Sequence, residues 1–112
     1  PGRAAARIES ADLPRWVAAC LARLAQGGHI VLVHRADRLP ELLAAISART
    51  GEITVLPLWP REGEPARRVL VRARKGRRGP ARLLPGLVLH RSDGSYTEAA
   101  EAVLRGARPI PW

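Results

Sequence analysis

Apolar residues recur every three or four positions between Leu13 and Leu24, the spacing of one face of an α-helix. This stripe consists of Leu13, Trp16, Val17, Cys20, Leu21 and Leu24. Gly27 and Gly28 then end the predicted helix, because glycine adopts the left-handed closing conformation without steric cost. The run from His29 to His34 follows, and its short, β-branched pattern predicts a strand. Because this run does not alternate, we expect it to be buried on both faces beneath covering helices.

The same kind of pattern predicts a second helix further along the chain. Its apolar stripe is Leu39, Leu42, Leu43 and Ile46. Asp37 is placed to cap its start, and Gly51 to close its end. For the first helix, Ser10 or Asp12 is the expected cap, and Pro14 fits the first turn.

Two further strands are predicted, from Ile53 to Trp59 and from Arg67 to Lys75. Pro57 cannot donate a ladder hydrogen bond, so we expect its strand to lie at an edge of the sheet. A strand–helix–strand connection makes the first two strands parallel. The third strand is then free to insert between them, antiparallel to both.

The remaining segments predict smaller elements. Leu87 to His90 is a candidate short strand, followed by an Asp93-Gly94 turn. Ser95 and Glu98 have the spacing of a capping box ahead of a short helix from Thr97 to Arg105. The organisation we expect is therefore a mobile arm over residues 1–9 and a single α/β unit over residues 10–112.

The charge of the chain indicates an anionic partner. It carries 19 basic and 10 acidic residues in 112, a net charge of +9, which favours nucleic acid. All but one of the basic residues are arginine, however, so nucleotide-composition bias is an alternative source of the charge. The sequence has no apolar run long enough to span a bilayer and no apolar leader, so we expect a cytoplasmic protein without membrane contact. Its one cysteine, Cys20, lies on an apolar helix face and is expected to be a buried structural thiol.

Two places along the chain are candidates for binding. His34 and Arg35 end the first strand, at the edge where open α/β sheets bind ligands. The second candidate is a basic, glycine-rich turn whose phosphate-contacting residues would be Arg72, Arg74, Lys75, Arg77 and Arg78. A solvated hairpin tip is the alternative interpretation of this turn.

The sequence gives little support for a metal site, a phosphate-binding loop or a base-stacking platform. The three histidines are scattered, and one cysteine without a nearby histidine does not form a zinc site. Gly27-Gly28 precedes a strand, whereas a phosphate-binding loop follows one. Trp16, Trp59 and Tyr96 are too few and too far apart to form a base-stacking platform.

The order of these motifs resembles a known family. Residues 21–33 resemble the helix-turn-strand in the second half of class I S-adenosylmethionine-dependent methyltransferases, and the inserted antiparallel third strand also matches that fold. Residues 34–39, 69–76, 84–90 and 94–100 are similar to the C-terminal half of the bacterial tRNA(Val) adenine-N6 methyltransferase group, often described as small-domain methyltransferases. The resemblance implies the C-terminal half of a Rossmann-like sheet, a tRNA partner, and S-adenosylmethionine as the methyl donor of the whole enzyme.

The sequence departs from that family where catalysis would lie. The family binds its donor with a glycine-rich loop and an acidic residue, and its catalytic motif is Asn-Pro-Pro followed by an aromatic residue. This sequence contains no asparagine and no phenylalanine. We therefore expect a fragment with no catalytic, cofactor-binding or metal residue of its own, which neither binds S-adenosylmethionine nor transfers methyl groups alone.

Two alternatives remain open from the sequence. The chain could be a freestanding basic α/β module that binds nucleic acid without catalysis, or its parent could methylate a small molecule or a protein. In either methyltransferase interpretation, the strand from His29 to His34 has one neighbour missing. We expect the chain to pair through this exposed edge with a second copy, to exchange its N-terminal arm, or to remain bound to the missing N-terminal half.

Overall fold

A computed structural model describes residues 12–112, and the expected arm over residues 1–9 and the candidate cap Ser10 lie outside this range. Within it the elements are α1 Leu13–Ala22, β1 His29–Arg35, α2 Leu39–Ser47, β2 Thr50–Trp59, β3 Arg68–Lys75, β4 Arg82–Leu83, β5 Leu87–Val88 and α3 Glu98–Leu104. A single 3-10 turn, Ala36–Arg38, leads into α2. None of the helices over residues 12–112 has the length and apolarity that crossing a bilayer requires.

The sheet has the order β1-β3-β2-β4, and β5 also pairs with β2. As predicted, β3 lies between β1 and β2 and is antiparallel to both. One row across the three strands consists of Leu32, Val71 and Val55. Because β1 and β2 both oppose β3, they run the same way, and their carboxyl ends meet at one edge of the sheet.

The main core lies between one face of this sheet and the two helices α1 and α2. Its buried members are Leu13, Val17, Leu21, Ile30, Leu32, Leu42, Ile46, Val55, Val69, Val71 and Ala73. Cys20 is partly buried against this core, and burial raises the pKa of its thiol. The cysteine therefore stays protonated at neutral pH and fills space, in keeping with a structural role.

Burial along β1 corrects the expectation that this strand is covered on both faces. Ile30 and Leu32 are each 1% exposed, whereas Val33 is 50% exposed. The reason is that α1 and α2 cover only the face that carries Ile30 and Leu32. Within residues 12–112, β1 pairs with β3 alone, so its other edge has no partner strand there.

The position of β2 corrects the expectation that Pro57 marks an edge strand. On its outer side β2 pairs with β4 through Thr54 and Val55, and with β5 through Leu58 and Trp59. Pro57 lies between these two short parallel ladders. The missing N–H of proline therefore interrupts the outer pairing of β2 without placing the strand at the edge.

The predicted acidic caps of the first two helices are wrong. Asp12 occupies the N-cap position of α1 but accepts no capping hydrogen bond. Asp37 lies in the 3-10 turn before α2, and its carboxylate pairs with the guanidinium of Arg35. Because its carboxylate is paired with Arg35, Asp37 does not cap α2, and the helix begins at Leu39, one residue later than a cap at this position would place it.

The cap of α3 is Thr97, not Ser95. The Thr97 hydroxyl oxygen accepts a hydrogen bond from the backbone N–H of Ala100 at 3.1 Å. It also donates to the carbonyl oxygen of Val88 at 2.6 Å, which fixes the start of α3 against β5. Ser95 instead bonds to Asp93 within the preceding turn.

The end of α1 depends on Lys75. The helix ends at Ala22, earlier than the glycines indicate. The Lys75 amine lies partly buried beneath this end and donates hydrogen bonds to the carbonyl oxygens of Leu21, at 2.7 Å, and Leu24, at 2.8 Å. A cation at a helix C-terminus satisfies terminal carbonyls and opposes the helix dipole. Lys75 thus joins α1 to the end of β3.

Replacing Lys75 with methionine should lower the free energy of unfolding by about 2 kcal/mol, since two carbonyl oxygens lose a charged donor. Urea denaturation followed by circular dichroism measures this change. Arg78→Ala is the control, because Arg78 is an exposed cation of the same stretch, and its loss should change stability by less than about 0.5 kcal/mol. Equal losses in the two variants would contradict the capping role.

Candidate nucleic-acid interface

The structure separates the two candidate binding places predicted from the sequence. Arg74 pairs with His29 at the amino end of β1, whereas Arg68 pairs with Arg35 at its carboxyl end. Between Arg68 and Lys75, β3 spans about 23 Å at about 3.3 Å per residue. The basic turn (Lys75 to Gly79) and the carboxyl edge (the ends of β1 and β2) are therefore separate surfaces at opposite ends of the sheet.

The basic turn is docked on the protein and is not a free hairpin tip. The backbone N–H of Gly76 donates to the carbonyl oxygen of Arg49 at 3.0 Å, and that of Gly27 donates to the carbonyl oxygen of Lys75 at 2.8 Å. A methyl group on Gly51 would overlap the carbonyl oxygen of Arg77. A cleft of about 570 Å³ lies between this turn and residues 47–51. The turn therefore has a fixed backbone position on the start of β2.

Two of the five predicted phosphate-contacting residues also hold this turn in place. Arg74 donates from Nε to the carbonyl oxygen of Gly27 at 3.0 Å, and its guanidinium lies 3.8 Å from the carboxylate of Glu52. The Lys75 amine uses two of its three N–H groups at the end of α1. The Arg74–Glu52 pair spans 22 positions and the other three contacts span 47 to 54, and the sequence pattern carries no signal for them. Phosphate contact stays a prediction. Arg77 and Arg78 are the main candidates for it, because both are exposed.

Arg72 lies on the sheet face opposite the main core. Its guanidinium carbon is 4.6 Å from the ring centroid of Trp112, a cation–π contact. A cleft of about 210 Å³ adjoins it, lined by His29, Glu52, Thr54, Arg72, Arg74, Pro80 and Arg82. A stacked guanidinium can still donate from its edges, so Arg72 presents a second cationic surface beside the basic turn. The contact with Trp112 was not predicted from the sequence.

The carboxyl edge holds the other candidates, His34 and Arg35. Arg35 pairs with Asp37 and lines a cleft of about 430 Å³ together with Ala66, Arg67 and Arg68. The Nε2 atom of His34 is buried and has no hydrogen-bond partner among residues 12–112. His34 pairs with Val69 and so lies on the core face, away from the cleft lining. Of the two candidates, only Arg35 reaches the cleft.

The cleft beside Arg35 does not fit S-adenosylmethionine. A nucleoside cofactor needs a carboxylate for its ribose hydroxyls, and Asp37, the one acid of this cleft, is already paired with Arg35. The remaining charged residues of the lining are Arg67 and Arg68, which favour an anion over a sulfonium cation. Residues 12–112 do not bring three His, Cys, Asp or Glu side chains together as a metal site would require.

If Arg77 and Arg78 contact phosphate, replacing both with alanine should flatten the salt dependence of RNA binding. Each lost contact should reduce the slope of log Kd against log salt concentration by about 0.7 to 0.9. Fluorescence anisotropy with labelled tRNA over a range of salt concentrations measures this slope. The charge-matched control is Arg61→Ala with Arg108→Ala, two exposed arginines outside the turn. An identical slope in the two double variants would contradict direct phosphate contact by Arg77 and Arg78. The net charge of the chain would then account for the salt dependence.

The order and directions of the strands define a methyltransferase-like α/β fold, and a solved structure shares it. That structure, of a predicted O-methyltransferase from Agrobacterium tumefaciens, has a TM-score of 0.74 over 88% of this chain, with 28% sequence identity. The chain covers 50% of the length of that protein. No model of a protein family matches the chain, and the search of curated proteins finds no match either. The fold class predicted from the sequence is confirmed, whereas the tRNA adenine-N6 group stays a prediction.

Proposed function

We propose that this chain is the C-terminal half of an S-adenosylmethionine-dependent methyltransferase that acts on tRNA at an adenine N6. The observation that supports it best is the half-sheet: β3 inserts between β1 and β2, and the opposite edge of β1 has no partner strand within residues 12–112. The chain also covers 50% of its structural neighbour. The missing half would supply the donor loop and the catalytic motif, and this half would hold the RNA.

The separation of the basic turn from the carboxyl edge supports a polynucleotide substrate. Open α/β sheets bind their reacting ligand beyond the carboxyl ends of the strands. The basic turn lies about 23 Å from that edge along β3. A small molecule bound at the carboxyl edge would not reach Arg77 and Arg78, whereas an RNA strand of several nucleotides carries phosphates along its whole length and reaches both surfaces.

A second candidate substrate follows from the structural neighbour, which is a predicted O-methyltransferase. The acceptor would then be a hydroxyl oxygen, either on the RNA ribose or on a small molecule. The residues of the carboxyl edge are consistent with either acceptor. Arg35, Arg67 and Arg68 favour a substrate with negative charge near the acceptor, but they do not distinguish an oxygen acceptor from a nitrogen acceptor.

The test is a methyl-transfer assay on the protein encoded by the whole reading frame, with tRNA and methyl-labelled S-adenosylmethionine, followed by nucleoside analysis. We expect label in N6-methyladenosine. Label in a 2′-O-methylated nucleoside would support the second candidate, and the absence of label in tRNA would refute a tRNA substrate. The 112-residue chain alone is the control: it should show neither transfer nor micromolar donor binding in calorimetry.

A further inference from the structure

An aromatic surface lies at the carboxyl edge, at the opposite end of the sheet from the basic turn. Beyond the end of β2 the chain after β5 continues alongside it: the N–H of Leu89 donates to the carbonyl oxygen of Trp59 at 2.8 Å, and that of His90 to Pro60 at 3.0 Å. The segment then turns back through Asp93-Gly94, and Tyr96 pairs with His90 in an antiparallel bridge. We call residues 90–96 the edge hairpin.

Hydrogen bonds close the edge hairpin. The N–H of Arg91 donates to the carbonyl oxygen of Ser95 at 2.7 Å. The Asp93 carboxylate accepts from the Ser95 backbone N–H at 2.9 Å and from its hydroxyl at 2.6 Å, and these bonds lower the pKa of Asp93. The ionised carboxylate of Asp93 thus accepts both bonds from Ser95 and holds it in the turn.

The hairpin holds two rings in a stack. The centroids of His90 and Tyr96 are 4.9 Å apart, with 23° between their planes. The Nδ1 atom of His90 lies 3.1 Å from the carbonyl oxygen of Gly94, which fixes the orientation of the imidazole. Although one side of its ring is occupied by His90, Tyr96 remains 46% exposed. Arg91, next to His90, is exposed as well.

We propose that the edge hairpin binds an unpaired nucleobase of the RNA, which stacks on Tyr96 while Arg91 contacts the adjoining phosphate. A flat, exposed ring that is already fixed by a partner ring loses little conformational freedom on stacking. Base–aromatic stacking needs only a π-face, and a guanidinium beside it suits a phosphate. This inference rests on the proposed RNA substrate and adds the recognition of an unpaired base at the edge where the reaction would take place.

Tyr96 is the only tyrosine in the chain, so selective ¹³C-tyrosine labelling gives a single ring reporter. The full 112-residue chain is titrated with a short single-stranded oligoadenylate and, separately, with an abasic strand of the same length. We expect the ring signals of Tyr96 to move upfield with oligoadenylate only. Tyr96→Ala should weaken oligoadenylate binding about fivefold or more, and Tyr96→Phe should retain it.

The salt dependence separates stacking from charge. Because stacking releases no counterions, Tyr96→Ala should leave the slope of log Kd against log salt unchanged, whereas Arg91→Ala should reduce it by about 0.7. The control is Leu104→Ala, which removes an exposed apolar side chain from α3 and should not affect binding. Salt-dependent binding with unmoved Tyr96 signals and unchanged affinity of Tyr96→Ala would overturn this inference alone. No binding of any RNA would overturn the RNA substrate and this inference together.

Discussion

Replacing Gly51 with alanine should lower the free energy of unfolding by about 3 kcal/mol or more. An alanine methyl group there would overlap the carbonyl oxygen of Arg77 and lie 2.8 Å from the Cα of Arg78. Both groups are backbone, so no side-chain rotation relieves the overlap, and the basic turn has to move away from β2. Urea denaturation measures the loss. In protein that still folds, RNA binding should also weaken, because Arg77 and Arg78 move with the turn.

Gly63→Ala is the matched control for this substitution. Gly63 has a positive φ of 83° but no atom within 4 Å of an added methyl group. The substitution there should lower stability by only about 1 to 2 kcal/mol, the conformational cost of alanine in a left-handed position. If Gly51→Ala were as mild as Gly63→Ala, the turn would be loosely attached, and the solvated hairpin tip would be the better interpretation.

The second large expected effect is self-association of the chain through the open edge of β1. Its backbone N–H and C=O groups have no partner strand within residues 12–112, and Val33 beside them is 50% exposed. Such an edge is a template for pairing with another chain. We expect the isolated chain to sediment as a dimer or larger species, and Val33→Lys to shift it to monomer, because a lysine on an edge strand opposes pairing.

The control for edge pairing is Leu104→Lys, which adds the same charge at a 64% exposed position on α3. It should leave the association state unchanged. Hydrogen exchange provides the independent readout. A monodisperse monomer at high concentration with slow exchange at residues 30–33 would mean that the chain covers this edge itself, and the half-sheet would no longer support a missing N-terminal partner.

Local periodicity was sufficient to predict the main architecture from the sequence. The stripes that begin at Leu13 and Leu39 predict α1 and α2, because each stripe is set by burial of one helix face. Between Arg67 and Lys75, apolar Val69, Val71 and Ala73 alternate with basic residues, and this period of two predicts β3. The insertion of β3 between β1 and β2 is also predicted, but one premise of that prediction is wrong. Pro57 interrupts the outer pairing of β2 and does not place β2 at the edge of the sheet. Two-residue strands such as β4 have no pattern of their own, which is why it was missed.

The contacts that shape the candidate sites depend on distant parts of the chain. Lys75 caps α1 across 54 positions, and Arg72 meets Trp112 across 40, so no window of sequence contains both partners. The pairing of His90 with Tyr96 is different. The Asp93-Gly94 turn was recognised, and a hairpin closed there brings positions 90 and 96 opposite each other. The stack itself has no signal among the tryptophans and the tyrosine, since its second ring is a histidine.

The most direct test of the central claim, that this chain is half of a methyltransferase, is the nucleotide sequence upstream of the codon for Pro1. We predict an uninterrupted reading frame that encodes a glycine-rich loop after a first strand, an acidic residue after a second, and Asn-Pro-Pro with an aromatic residue after a fourth. A start codon immediately before Pro1 would contradict the claim and favour a freestanding nucleic-acid-binding module.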